Sequence, residues 1–177
     1  MPASGNGDPE RNGVLVWDVV VRLQHWLLAG LVIFCSIADD GGPLHRAAGY
    51  AAAGVVVARL LWAALAKKGH GSLASLKPSV SATLAFVRAR APRCIGHDPL
   101  GLWMVWLLWS LVSLLALTGW MSRLDAFWGD ERLQDIHAWI ADALLAAVAL
   151  HLLGVGVMSW RWRENLPASM VTGRKRD

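Results

Sequence analysis

The sequence predicts an all-α integral membrane protein, a four-transmembrane-helix bundle, and three observations carry that prediction. Four apolar runs, at about residues 14–38, 44–66, 100–121 and 133–160, are each long enough to cross a hydrocarbon core of about 30 Å at about 1.5 Å per residue. Composition agrees, because 55% of the 177 residues are apolar and only 17% are charged. That is too apolar for an ordinary soluble domain. The basic residues, which give a net charge of +4, sit between the runs. They therefore read as topology signals and not as a nucleic-acid-binding stripe.

Residues 1–13 are rich in Gly, Pro and polar side chains and read as a disordered tail, with no removable signal peptide. The first run, Val14 to Ala38, carries Asp18, Arg22 and His25 and stops at Asp39-Asp40-Gly41-Gly42-Pro43, a strong breaker. The second, Leu44 to Ala66, opens with His45 and Arg46 and has Arg59 near its end. Residues 67–98 form a basic loop with Lys67, Lys68, Lys77, Arg88, Arg90 and Arg93 against Asp98. Within it, Ser79 to Ala91 has an N-cap-like start and reads as a short helix on the membrane surface. The third run, Leu100 to Met121, is uncharged and contains Trp103, Trp106, Trp109 and Trp120. A polar turn, Ser122 to Arg132, leads to the fourth run, and residues 161–177 are a basic tail. Residues 14–160 thus make one membrane domain. An even number of spans puts both termini on one side with the basic loop and tail, and the positive-inside rule makes that side the cytoplasm. Cys35 and Cys94 form no Cys-x-x-Cys pair, which argues against a disulfide framework, a zinc site and covalent haem attachment.

The fourth run holds His137 and His151, fourteen residues apart. At about 100° and 1.5 Å per residue the second ring lies within about 40° of the first and roughly 21 Å along the axis. Two imidazoles on one face, one near each side of the membrane, suggest two stacked metal or haem sites. Depth supplies their partners: His45 opens the second helix at the level of His137, and His25 lies deep in the first at the level of His151. Each pair suits bis-imidazole ligation of a haem iron. Arg59 follows His45 by fourteen residues and so reaches the inner level, where an arginine needs an anionic partner such as a haem propionate. Arg22, one turn before His25, suits the same inner group, and Arg46, Arg123 or Arg132 the outer one. Gly49, one turn after His45, leaves room for a flat macrocycle, with Gly30, Gly119 and Gly154 as weaker candidates. Blander readings stand beside these. Arg59 can snorkel to headgroups, small residues can serve helix packing, and a lone membrane histidine is as often a hydrogen-bond donor as a ligand. His70 and His97, in the basic loop, have no partner at their depth and read as non-ligands. Asp142 lies between the two levels, either protonated, paired or facing a wet crevice.

These residues also match a family. Val16-Trp17-Asp18 through Arg22-Leu23-Gln24-His25-Trp26, Leu44-His45-Arg46-Ala47-Ala48-Gly49-Tyr50 and Arg59-Leu60-Leu61-Trp62 carry the likeness. Gly96-His97-Asp98-Pro99-Leu100-Gly101, Leu117-Thr118-Gly119, His137 with His151, Arg163-Glu164-Asn165-Leu166 and Thr172-Gly173-Arg174-Lys175 extend it. The chain resembles the bacterial cytochrome b561 and Ni,Fe-hydrogenase b-type cytochrome group, dihaem cytochromes b of the inner membrane. The resemblance implies two non-covalent haem b groups with low-spin bis-His ligation, His25 with His151 and His45 with His137. It implies electron transfer between the quinone pool and a redox partner, cytochrome c-like or an enzyme subunit, with membrane lipid around it and a homodimer open. A membrane anchor of a larger enzyme such as a hydrogenase, or a stand-alone oxidoreductase acting on superoxide and quinone, are the alternatives. The latter would want a basic outer face, whereas Asp39, Asp40, Asp125, Asp130 and Glu131 make it acidic. A haem-free transporter would want broken helices or repeated halves, which the runs do not suggest. The chain departs from the family's pattern at Asp98, where Asn is common, and at Asp142.

Overall fold

The computed structural model describes residues 13–38, 41–66 and 69–176; the tail 1–12, Asp39, Asp40, Lys67, Lys68 and Asp177 lie outside the described residues. Four helices are long and apolar enough to cross a membrane: α1 (Val19–Ile37), α2 (Pro43–Leu65), α4 (Pro99–Met121) and α5 (Glu131–Trp162). Between α2 and α4 lies a short helix, α3 (Val80–Arg88), and after α5 comes α6 (Leu166–Thr172). A two-stranded antiparallel sheet joins the ends of the chain, β1 (Val14–Leu15) pairing with β2 (Arg174–Lys175).

Local chemistry sets the helix starts. Asp18 caps α1 by accepting from the Val21 amide at 2.9 Å, and Asp98 caps α4 by accepting from Gly101 at 2.8 Å. Asp130 does the same for α5, and Ser79 for α3. Asp and Asn are near-equivalent caps, so the departure at Asp98 is a neutral exchange for this helix. Pro43 and Pro99 sit in the first turns of α2 and α4, where a missing N–H costs nothing. The first apolar run is longer than its helix: α1 begins at Val19 because Val14 and Leu15 are drawn into the sheet with the C-terminal strand.

The bundle is held chiefly by α1 against α2, α2 against α4 and α4 against α5. Its core is Ala52, Val56, Val112 and Leu144, with Leu31, Leu108 and Val148 packed around. Those positions fall between the two histidine levels, so the dry centre of the bundle separates them. Large apolar side chains face outward on the spans, Ile37, Leu65 and Trp160 being 77%, 74% and 84% exposed, as a lipid-facing surface requires.

Residues 161–177 read as a tail in the sequence, yet 161–176 fold as the end of α5, α6 and β2. The fold-back forms a cap over the side of the bundle that carries the termini. Val16 and Trp17 amides donate to the Gly173 carbonyl at 2.8 and 3.1 Å. Gly173 has φ 81°, and a Cβ there would lie 2.7 Å from the Trp17 carbonyl oxygen, so only glycine closes this joint. Arg93 grips Glu164 with two hydrogen bonds of 3.1 Å, and Glu164 also accepts from the Arg176 amide at 2.7 Å. Burial pushes the Glu164 carboxyl up, but the hydrogen bonds from Arg93 and Arg176 and the charges of Arg93 and Lys175 outweigh it and leave the pKa lowered. A lowered carboxyl pKa contributes stability above the ordinary carboxylate range that is lost as pH falls through it. Glu164→Gln removes a charge-assisted bidentate pair and is expected to loosen the cap by about 1–3 kcal/mol. Limited trypsin cleavage at Arg174 to Arg176 then speeds up while the spans stay protected; unchanged cleavage would contradict the role assigned to the pair.

Candidate functional site

Two of the sequence-singled histidines meet between α2 and α5. His45 lies in the first turn of α2, and its Nδ1 stands 2.6 Å from the carbonyl oxygen of Ala38, the residue that ends α1. A carbonyl only accepts, so that nitrogen carries the hydrogen and donates. His137 Nδ1 stands 2.7 Å from Thr118 Oγ1 on α4. The Thr118 hydroxyl is 2.9 Å from the Leu114 carbonyl and 3.2 Å from that of Leu115, to which it donates. It therefore accepts from His137. Both rings are left with the hydrogen on Nδ1 and a lone pair on Nε2, the tautomer of a ligating imidazole whose other nitrogen is held by an outer partner.

The His45 and His137 ring centres are 6.3 Å apart with planes at 62°. Two imidazoles bound to one metal ion through bonds of about 2 Å would have ring centres about 6 Å apart. Beside them lies a cavity of about 900 Å³ whose lining includes His45, His137, Arg46, Gly49, Tyr50 and Asp142. A Cβ at Gly49 would meet no atom within 4 Å, and one at Gly119 would touch His137 Cε1 at 3.5 Å. Gly49 thus opens onto the cavity and Gly119 seats the ring. Arg46 lines the cavity while donating to the Gly41 carbonyl at 2.9 Å. Arg123 lines it too, its guanidinium 4.8 Å from the Trp128 ring centre, whereas Arg132 does not.

The other two meet less tightly. His25 on α1 lies within electrostatic reach of His151 on α5, and its Nδ1 is buried without a hydrogen-bond partner. A second cavity of about 90 Å³ is lined by His25, Gln24, Arg59, His97, Leu76 and Trp109, among others. Arg59 is only 6% exposed. It donates to the Gly71 carbonyl at 3.0 Å, lies 5.9 Å from the Trp109 ring centre and feels the charge of Asp18. Its head is therefore covered by the 69–72 loop and not bathed in headgroups. Arg22 donates to the Val171 carbonyl of α6 through Nη1, while its Nε is buried without a hydrogen-bond partner.

His97 is the residue sequence reasoning passed over. It sits in the loop before α4, yet it lines the same cavity as His25. Its ring packs edge-on against Trp17 at 4.6 Å, with His70 at 6.4 Å from the same tryptophan. Its partners come from both ends of the chain, so nothing in the local sequence reveals them. Burial, then the positive charges of Arg59 and Lys175 and the neighbouring His70, push its pKa down to about 4. His97 is therefore neutral at pH 7. Lys175, 6% exposed, donates to the Cys94 and Gly96 carbonyls at 3.3 and 3.2 Å and lies between Trp17 and Trp162 at 5.7 and 5.9 Å. It holds the 94–96 segment in place.

Comparison with known proteins bears on this arrangement at one point. A family model described as prokaryotic cytochrome b561 matches residues 16–173. No curated protein and no solved structure matches the chain.

Because folding depresses the pKa of His97 from the ordinary 6.5 to about 4, the unfolded chain binds more protons between those values. Stability is then complete above about 6.5 and declines as pH falls toward 4. The thermal midpoint of the detergent-solubilised protein is expected to fall across that window, and His97→Asn to flatten the fall. An equal slope in both proteins would show that His97 is not the group responsible.

Proposed function

The chain belongs to the prokaryotic cytochrome b561 family, b-type cytochromes of transmembrane electron transfer, and on that footing we propose that it holds two non-covalent haem b groups, one at each histidine level. The His45–His137 arrangement carries this reading. Its ring spacing of 6.3 Å, its two committed Nδ1 hydrogens and its cavity of about 900 Å³ all suit a bis-imidazole iron site. His25 and His151 are the proposed axial pair of the inner group, on the strength of their shared depth and proximity.

Haem iron supplies a reversible one-electron couple. The chain's own residues do the rest. His45 with His137, and His25 with His151, would hold the two irons, and ligation by both imidazoles of a pair would disfavour oxygen binding and favour outer-sphere transfer. The core of Ala52, Val56, Val112 and Leu144 places apolar side chains between the levels. Gly49 gives the outer macrocycle room. Arg46 offers a cation to carboxylates of the outer group, and Arg59, with nitrogens beyond the one bound to Gly71, to those of the inner one. Arg22, engaged with Val171, contributes by fixing α6 one turn from His25.

The electrons are proposed to pass between the membrane quinone pool and a redox partner, in the bacterial inner membrane with both termini cytoplasmic. The placement of Arg88, Arg90, Arg93, Arg161, Arg163, Arg174 and Lys175 on the terminus side supports that orientation. Service as the membrane subunit of a larger oxidoreductase is a second reading, favoured by the short connections 38–42 and 122–130 on the opposite side, which leave that face open to a docked protein.

A reduced-minus-oxidised spectrum with a pyridine haemochrome count is expected to give two low-spin haems b per chain. His45→Ala and His137→Ala should each remove one haem, and His25→Ala and His151→Ala the other. Gly49→Leu is expected to deplete the outer haem selectively. A folded protein without haem would overturn the proposal, and a single haem lost with one pair alone would make the other pair structural.

A further inference from the structure

Helix α4 carries three hydroxyl side chains, Ser110, Ser113 and Thr118, and no charge. Ser110 and Ser113 are exposed, Ser113 donating back to the Trp109 carbonyl one turn earlier at 2.8 Å. Thr118 is 7% exposed and faces the interior. Its hydrogen is committed to Leu114 at 2.9 Å, and its β-branched side chain has few rotamers to choose from. The oxygen lone pairs are thereby aimed in a fixed direction, where His137 Nδ1 lies at 2.7 Å. The next residue, Gly119, lies beside the same ring, a Cβ there standing 3.5 Å from His137 Cε1.

We propose that Thr118 is a positioning residue for His137, fixing its tautomer and strengthening Nε2 as an electron donor toward the group bound between His45 and His137. The proposal rests on those two histidines being the axial pair of the outer haem. An acceptor on Nδ1–H pushes electron density onto the imidazole and so stabilises the ferric over the ferrous state. The two sides of the centre differ in origin. His45 is held by a main-chain carbonyl, that of Ala38, which no substitution deletes. His137 is held by a side chain, so Thr118 is the position through which sequence can set the potential of this centre without touching a ligand.

The test is a potentiometric titration of the purified, haem-loaded protein with Thr118→Val and Thr118→Ser beside the native chain. It is paired with a haem count and the low-spin electron paramagnetic resonance spectrum. Valine keeps the shape and removes the acceptor. It is expected to shift the reduction equilibrium of the outer haem about tenfold toward the ferrous form, about 59 mV for one electron, and to alter its low-spin signal. The inner haem keeps its potential, and serine, which keeps the hydroxyl, returns the outer haem to its native value. Loss of the outer haem in valine but not in serine supports the same role. Two haems with native potential and spectrum in Thr118→Val overturn the proposal while leaving the axial pairing intact. Loss of the outer haem in valine and serine alike overturns it in favour of a packing role. A native chain that binds no haem overturns the pairing beneath it.

Discussion

A polar group inside a hydrocarbon core has no water to turn to, and the structure is organised by that cost. Each interior polar side chain at the outer level answers another one or a stranded main-chain group. The carbonyl of Ala38, left over where α1 ends, is taken by His45. The hydroxyl of Thr118 is satisfied by its own helix and then serves His137. The two rings lie with their centres 6.3 Å apart, each with its Nε2 lone pair left over. Leaving two such lone pairs turned toward a membrane cavity makes physical sense when an electrophilic ion belongs between them.

The inner level is built differently. Its histidines come from α1 and α5, but its surroundings include Leu76 and His97 from the long connection, Met170 from α6 and Arg59 beneath the 69–72 loop. Short connections close the outer site, with Gly41, Arg123 and Trp128 in its lining, whereas the inner site is completed by the long connection and the C-terminal fold-back. That is why the cap matters to the bundle. Lys175, gripped by Trp17 and Trp162, fixes the 94–96 segment, and His97 follows directly after it.

Much of this was legible in the sequence. The four spans announce themselves by length and hydropathy, the short surface helix by its N-cap-like start at Ser79 and the turn before the second span by the breaker ending at Pro43, because caps and breakers are local chemistry. Depth arithmetic on a 1.5 Å rise was enough to place His45 beside His137, since helices in a membrane run nearly antiparallel and leave little freedom in level. What stayed hidden depended on chain ends meeting. Val14 and Leu15 look like the start of a span until Arg174 and Lys175 pair with them. That Arg22 also meets the Val171 carbonyl shows only once α6 folds back. His97 looks solitary until Trp17 and Lys175 arrive from opposite termini. Thr118 was noticed as part of a motif, yet its bond to a residue nineteen positions away needed the packing of α4 on α5.

The same contrast bears on how the two levels respond to change. The Nδ1 hydrogens at the outer level are held by the carbonyl that ends α1 and by a buried α4 hydroxyl, neither of which is charged. The inner level has a histidine whose Nδ1 is buried without a partner, beside a cavity closed by loop and cap. Its neighbours are held by Arg93 with Glu164 and by Lys175, contacts whose strength depends on charge. Proton activity on the terminus side therefore bears on the neighbours of the inner level through the charges of the cap, about 21 Å of helix away from the outer pair.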